Sequence, residues 1–351
     1  MISKRPIEAM NRVIATPDLV FVHLSDIHFR KGRVGDSHDE DGMLRNELEF
    51  DLRRLRARLP RFDGLIVSGD IAFSGKPEEY EYAGGWIESI RELLGCKHEG
   101  VMLIAGNHDV DHAAIPPDGP VDLLHRQILD AGSLAEYDDR LASVLRDSGS
   151  GELLLTPLAA YNEFASKYGC RFTRDRPYWE RDFRLGDGTT LRFKGIATVL
   201  LSSSRDNQNT HKMLYGAGQR TILRKPNIRH ALIGHHPPSW SVEGEAADHA
   251  FSTLTFLQVF GHEHEQWVTR VGSSVRLIAG AVHPSRGEKN WLPRYSAITI
   301  SVKDDRTLAI RIYPRRWSTE ELKFIGDYNS EDQDFRDYVV AVERREVEGD
   351  G

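Results

Sequence analysis

The chain has 351 residues, 40% hydrophobic and 28% charged, the composition of an ordinary globular protein. That length suits one large α/β domain with insertions. Its 46 basic against 53 acidic side chains leave a formal charge of −7, which argues against a broad basic face for nucleic acid, although bound cations can handle phosphate locally.

The opening residues, MISKRPIEAMNRVIATPD, are basic at first but carry no signal-like apolar core, and residues 1–18 are set aside as an N-terminal extension. No run of about 20 apolar residues follows, so a cytoplasmic protein with no membrane partner is the expectation. Only Cys96 and Cys170 occur, without metal-type spacing, and both are expected to be buried or idle thiols in a reducing compartment.

Five short β-rich runs end on polar residues: LVFVHLSD at 19–26, GLIVSGD at 64–70, VMLIAGNHD at 101–109, HALIGHH at 230–236 and LQVFGHEH at 257–264. Such near-continuous apolar stretches suit strands buried on both faces. Between the first three lie helical patterns. Leu44, Leu48, Leu52, Leu55 and Leu59 recur every three to four residues, and a stripe from Ala83 to Leu94 begins after Pro77 and closes at Gly95. This alternation predicts a layered α/β fold with right-handed crossovers.

Residues 112–170 break the rhythm and read as a helical insertion near the site, with DSGSGE at 147–152 as a loop within it. A hairpin turning at Gly186-Asp187-Gly188 should follow, then a core strand. SVRLIAGAV, YSAITISV and TLAIRIYP complete a second set of strands, bounding a domain of 19–315. The remainder, 316–351, is a C-terminal extension whose acidic part from about 328 reads as a weak helix with a frayed end.

Each of the five runs delivers metal-type donors at its C-terminal end, where ligand crevices of open α/β sheets lie. They are Asp26 and His28, Asp70, Asn107 and His108, His235 and His236, and His262 and His264. Singly, each motif has a plainer reading: a capping aspartate, a Gly-Asp turn, a rigid strand exit before Pro237. A strand running through HEH would aim both rings to one side. Five donor-bearing ends in succession point instead to a shared metal site.

The motif set resembles that of a family of two-metal phosphoesterases, and the resemblance implies two divalent ions; these would bring a charge of four positive, of which Asp26 and Asp70 offset two. The surplus attracts a phosphate anion and lowers the pKa of a bridging water, giving hydroxide in line with the phosphoryl group. A nearby histidine can protonate the leaving oxygen. Mixed carboxylate, amide and imidazole donors suit Mn, Fe, Zn or Ni better than Ca, and Mn²⁺ is the expectation.

In order and wording, the set Asp-x-His, Gly-Asp, Gly-Asn-His-Asp, His and Gly-His-x-His resembles the calcineurin-like metallophosphoesterase family, with SGDIAFSGKPEEYEYA and IAGNHD close to bacterial members. The resemblance covers roughly 19–110 and 190–315. It implies a four-layer α/β/β/α sandwich of two mixed β-sheets flanked by helices. It further implies that Asp26, His28 and His264 hold one ion, Asn107, His235 and His262 the other, with Asp70 bridging. His236 would line the site or orient substrate, His108 would face the phosphate as proton donor, and Asp109 is the candidate to orient that ring.

The activity so implied is a dinuclear phosphodiesterase acting on cyclic or small nucleotides. Alternatives are a nuclease or nucleic-acid repair enzyme, for which LRRLRARLPR at 52–61 is the candidate basic face, a phosphomonoesterase, or a non-catalytic scaffold of the same fold. The insertion and tail offer a surface for a partner protein or a homodimer. Asp36-Ser37-His38 is set aside as solvated loop, Asp111-His112 as loop continuation, YGAGQR at 215–220 as ordinary core, and Trp240 as packing.

Overall fold

The computed structural model describes residues 16–32, 39–59, 61–206, 213–287 and 291–342. Asp36-Ser37-His38 and nearly all of the N-terminal extension lie outside them. In chain order the elements are β1 (Leu19–Leu24), α1 (Gly42–Arg58), β2 (Gly64–Val67), α2 (Pro77–Leu94), β3 (Val101–Leu103), α3 (Pro120–Leu129), α4 (Leu134–Arg146), α5 (Ser148–Leu155) and α6 (Ala159–Ser166). There follow β4 (Tyr178–Arg184), β5 (Thr190–Ile196), α7 (Ala217–Arg220), β6 (Ile228–Ile233), α8 (Gly244–Leu254), β7 (Leu257–Phe260), β8 (Trp267–Val271) and β9 (Ser274–Ile278). The chain closes with β10 (Arg294–Asp304), β11 (Thr307–Ser318), β12 (Lys323–Gly326) and β13 (Arg336–Ala341).

These strands form two mixed sheets. One runs β12-β11-β10-β1-β2-β3, and the other β4-β5-β6-β7-β9-β8. Parallel β1-β2-β3 and parallel β5-β6-β7-β9 hold the centres, so both sets are buried on both faces, as their apolar runs require. Alternation divides the second sheet. Ala231, Ile233, Val259 and Leu277 join the central core, while Leu232, Phe260 and Ile278 face Ala247 and Phe251 of α8. The sheets meet at Phe21 of β1, whose ring lies 5.0 Å from Phe183 and 5.1 Å from Phe193. The leucines of α1 and the stripe of α2 pack on this same core. Gly95 ends α2 with φ of 69°, a left-handed conformation that glycine takes without a Cβ penalty.

Two expectations are corrected. DSGSGE begins helix α5, because Asp147 caps it by accepting from Ser150 N at 2.7 Å and Leu154 and Leu155 bury behind. The acidic tail gives no helix over 336–341; β13 pairs antiparallel with the open edge of β11. β12 pairs with the other half of that edge, so the boundary expected at 315/316 falls inside β11. Cys96 and Cys170 are free and buried. Among the described residues no helix is long and apolar enough to cross a membrane.

Candidate functional site

The five donor-bearing loops leave the C-terminal ends of β1, β2, β3, β6 and β7 and are stitched together by their own backbone. Asp26 N donates to Gly69 O at 3.0 Å, His28 N to Asp70 O at 3.0 Å, and Gly261 N to His235 O at 3.0 Å. Side chains extend the stitching: His108 N donates to Asp70 Oδ1 at 2.8 Å and His262 N to Asp26 Oδ2 at 3.3 Å. Five of the nine non-glycine residues with positive φ among those described are Asp26, His28, Asp70, His262 and His264. Left-handed backbone at such residues costs energy and gathers at functional sites.

Four overlapping donor groups result among the described residues, one of them His28, Asp70 and His108. Ligand atoms of Asp26, His28 and His264 lie within 4.8 Å of one another, as do those of Asp26, Asp70 and His235. His264 Nε2 is 3.2 Å from Asp26 Oδ1; His235 Nε2 is 3.4 Å from Asp70 Oδ1 and 3.2 Å from Asn107 Oδ1. His262 and His264 follow the end of β7, each in a left-handed turn, and they part company. His264 turns to Asp26, while the His262 ring lies 5.2 Å from His235 and 4.1 Å from His236. His235 Nδ1 donates to Ser68 O at 2.8 Å, which fixes Nε2 toward the carboxylates. His236 is also in reach, grouped with His235 and His262, and its Nε2 is buried without a hydrogen-bond partner.

Burial lowers the His28 imidazole to about 4 and His262 to about 3, and puts His236 well below the usual range. All three are therefore neutral, with lone pairs to offer. Burial also pulls His235 down, but the Asp70 and Asp26 carboxylates outweigh it and raise it to about 9. Burial pushes Asp26 up, yet His264 and His235 hold it at about 2. Asp70 is likewise held well below the ordinary carboxylate range, by His235 and His28 against burial. Two buried carboxylates, one amide oxygen and several neutral imidazoles form a donor set that fits divalent transition ions.

His108 sits at the open side. Its Nδ1 donates to Phe73 O at 2.7 Å, leaving Nε2 to the cleft. Asp109, expected to orient that ring, is engaged elsewhere. It accepts from Ile71 N, Ala72 N, Gly106 N and Tyr80 Oη at 2.8–3.1 Å, and so holds the loops that bear Asp70 and Asn107. Sequence reasoning missed Phe73, whose ring is 36% exposed, 5.3 Å from that of His108, with the Arg30 guanidinium 3.7 Å above it. It also missed His283, whose Nδ1 donates to Ile27 O at 2.6 Å. Both line, with His28, His108 and His264, a cleft of about 410 Å³. The signal was adjacency: Arg30 and Phe73 sit just past the Asp-x-His and Gly-Asp motifs.

The family model for calcineurin-like phosphoesterases matches residues 19–266. The chain belongs to the calcineurin-like phosphoesterase family. Two curated relatives share shorter stretches. A glycerophosphodiester phosphodiesterase of Enterobacter lignolyticus is 36% identical over 93 residues, 26% of this chain and 30% of that one. A cAMP/cGMP dual specificity phosphodiesterase of Mycobacterium tuberculosis is 35% identical over 95 residues, 26% of this chain and 28% of that one. The chain thus spans less than a third of either relative's length. Among solved structures, a Vps29 variant of Entamoeba histolytica aligns with TM-score 0.38 and 11% identity over 93% of this chain and all of that one. A 5′-nucleotidase of Candida albicans aligns with TM-score 0.38 and 13% identity over 82% of this chain and 49% of that one. At those scores neither likeness carries an argument about this calcineurin-like phosphoesterase.

The features set aside in the sequence are placed as follows. Trp240 packs edge-on against His262, ring centroids 4.1 Å apart. In YGAGQR, Gly216 N donates to Glu243 and Gln219 is bonded to Ala197, so the loop is core structure. Asp111 pairs with Lys76 at 2.5 Å. Of the five arginines in 53–61, Arg54, Arg58 and Arg61 pair with Asp51, Asp334 and Asp63, Arg53 lies 4.0 Å from Glu49, and Arg56 donates to Leu93 O.

Proposed function

We propose that this chain is a dinuclear metal-dependent phosphodiesterase of cyclic or small nucleotides. The observation that carries it is the convergence of Asp26, His28, Asp70, Asn107, His235, His262 and His264 from five strand ends. Asp26, His28 and His264 would hold one ion, Asn107, His235 and His262 the other, and Asp70 would serve both; Mn²⁺ is the proposed metal. When bound, such ions supply the surplus positive charge that binds phosphate and makes water nucleophilic at neutral pH.

The protein's own part is positional. Ser68 O and the short backbone bonds hold His235 and Asp70 in one geometry. Phe73 O accepts from Nδ1–H of the His108 ring. Nε2, protonated in the imidazolium form, can then give its proton to the leaving ester oxygen as that P–O bond breaks. The oxygen that bonds to phosphorus is that of a hydroxide, a water that has already released its proton to solvent. Asp109 acts through others, as a positioning residue for the Asp70 and Asn107 loops. The Phe73 ring, with the Arg30 guanidinium over it and the His108 ring beside it, borders the cleft. The net charge of −7 favours a small substrate over nucleic acid.

The test is hydrolysis of bis-p-nitrophenyl phosphate, its monoester and cyclic nucleotides with Mn²⁺. The expected result is cleavage of the diesters, abolished by EDTA and by Asp70→Asn in a protein that still folds. Metal-loaded protein that cleaves none of them, or activity that survives Asp70→Asn, refutes the reading.

A further inference from the structure

Past His28 the chain carries the parallel pairing of β1 and β2 beyond both strands. Phe29 N donates to Ile71 O at 2.9 Å, Phe73 N donates to Phe29 O at 3.0 Å, and Phe29 forms an isolated parallel bridge with Ala72. This short ladder sets Arg30 beside Phe73, with the guanidinium carbon 3.7 Å from the ring centroid. A head that aimed an N–H at the ring would hold that carbon farther off. The ring therefore takes the face of the guanidinium and leaves its five N–H donors along the edge.

Arg30 lines the same cleft as His28, His108 and His264. The Phe73 ring beneath it lies 5.3 Å from the His108 ring and 6.2 Å from that of His28. Neighbouring cations are engaged: Lys31 reaches Glu78 at 3.0 Å, and Arg286, which also lines the cleft, meets Glu40 at 3.3 Å and Asp41 at 3.6 Å. Among the described residues the Arg30 guanidinium has neither an ion pair nor a hydrogen bond. A half-buried guanidinium, seated on an aromatic face in a catalytic cleft and left unpaired, is placed for an anion that the ligand brings.

We infer that Arg30 is a specificity-determining residue that binds a second anionic group of the substrate, a phosphomonoester carried beside the scissile diester. The inference rests on the diesterase reading and narrows it to small nucleotides that bear a terminal phosphate. The surplus charge of the proposed metal site already serves the scissile phosphate, so the charge on Arg30 is left for another anion. Its edge can meet two phosphate oxygens with two parallel bonds, which a lysine cannot do. The cleft, about 410 Å³, is within the size range of small-ligand pockets. A contact made equally before and during bond breaking shows in KM rather than kcat.

The test compares the dinucleotide ApA with its 5′-phosphorylated form pApA and its 3′-phosphorylated form ApAp, using the full chain loaded with Mn²⁺. One phosphorylated form should be cleaved with kcat/KM about tenfold or more above ApA, the gain lying in KM. Arg30→Met should remove that gain, losing more on the phosphorylated form than on ApA, and Arg30→Lys should restore part of it. Its melting temperature should change little, because no ion pair is lost. Arg286→Met should keep the gain. Equal kcat/KM on all three dinucleotides, equal losses on them in Arg30→Met, or a gain that vanishes in Arg286→Met and survives Arg30→Met overturns the inference. Calorimetric titration reads the same contact without turnover. Adenosine 3′,5′-bisphosphate should bind about tenfold or more tighter than AMP to the wild type and about equally with AMP to Arg30→Met; a bisphosphate bound no tighter than AMP by the wild type overturns the inference. Failure of the diesterase reading shows differently, as an absence of cleavage of bis-p-nitrophenyl phosphate by every form of the protein.

Discussion

Replacing Gly106 by alanine puts a methyl carbon 2.1 Å from Asp70 Oδ1 and 2.5 Å from the Asp70 backbone nitrogen. Real Cβ atoms stay at least 3.0 Å from such neighbours, so the carboxylate must retreat by about 0.9 Å. One of the clashing atoms is backbone, which a rotamer change cannot relieve. The φ at Gly106 is −104°, which alanine adopts readily, so the effect is one of space alone. A displacement near 1 Å at a group that positions reactants costs on the order of 10²-fold in rate. We therefore expect Gly106→Ala to fold, to lose about 10²-fold in kcat on bis-p-nitrophenyl phosphate at saturating Mn²⁺, and to bind less metal by elemental analysis. Gly85→Ala is the control. Nothing lies within 4 Å of its added carbon, and inside α2 it should stabilise by about 0.5–1 kcal/mol with activity intact. A Gly106→Ala enzyme with wild-type kcat and metal content would refute the argument that packing around Asp70 sets the site.

His108→Ala should lower kcat by about 10²- to 10⁴-fold on esters with poor leaving groups, much less on p-nitrophenyl esters, and retain its metal; equal losses on both would remove its role as acid. Lys194 offers a pH prediction away from the site. It donates to Gly218 O and Thr221 O, and burial lowers its amine from the usual 10.5 to about 8. From pH 8 to 10.5 the unfolded chain then holds a proton that the folded chain has released, so stability rises with pH across that window. Lys194→Met should lack this rise, which amounts to about 3 kcal/mol at most; urea midpoints that run parallel for the two proteins from neutral to alkaline pH would count against it.

Much of the site was readable because each donor sits where an apolar run stops. Val22-His23-Leu24 before Asp26 and Leu232-Ile233 before His235 are strands by composition, and their exits could only be loops. What could not be read depended on partners distant in sequence. RDYVVA at 336–341 is a half-exposed edge strand beside acidic residues, and only the open edge of β11 makes it one. Asp109 adjoins His108, but the tight turn at 107–109 sends its carboxylate into the protein toward Tyr80, away from the ring it was expected to orient. The resemblance named His235 over His236 as ligand; what pattern did not give is that the His235 ring meets the Ser68 carbonyl while the His236 ring meets Thr198.

The left-handed backbone at Asp26, Asp70, His262 and His264 bears on how this centre should be dissected. Asparagine, like aspartate, tolerates that conformation well for a residue bearing a side chain, whereas alanine and above all branched residues resist it. Asparagine scanning of these positions removes charge or imidazole and leaves the loop geometry alone. An alanine scan there would mix lost ligation with a reshaped main chain, and its rate losses could not be apportioned between the two.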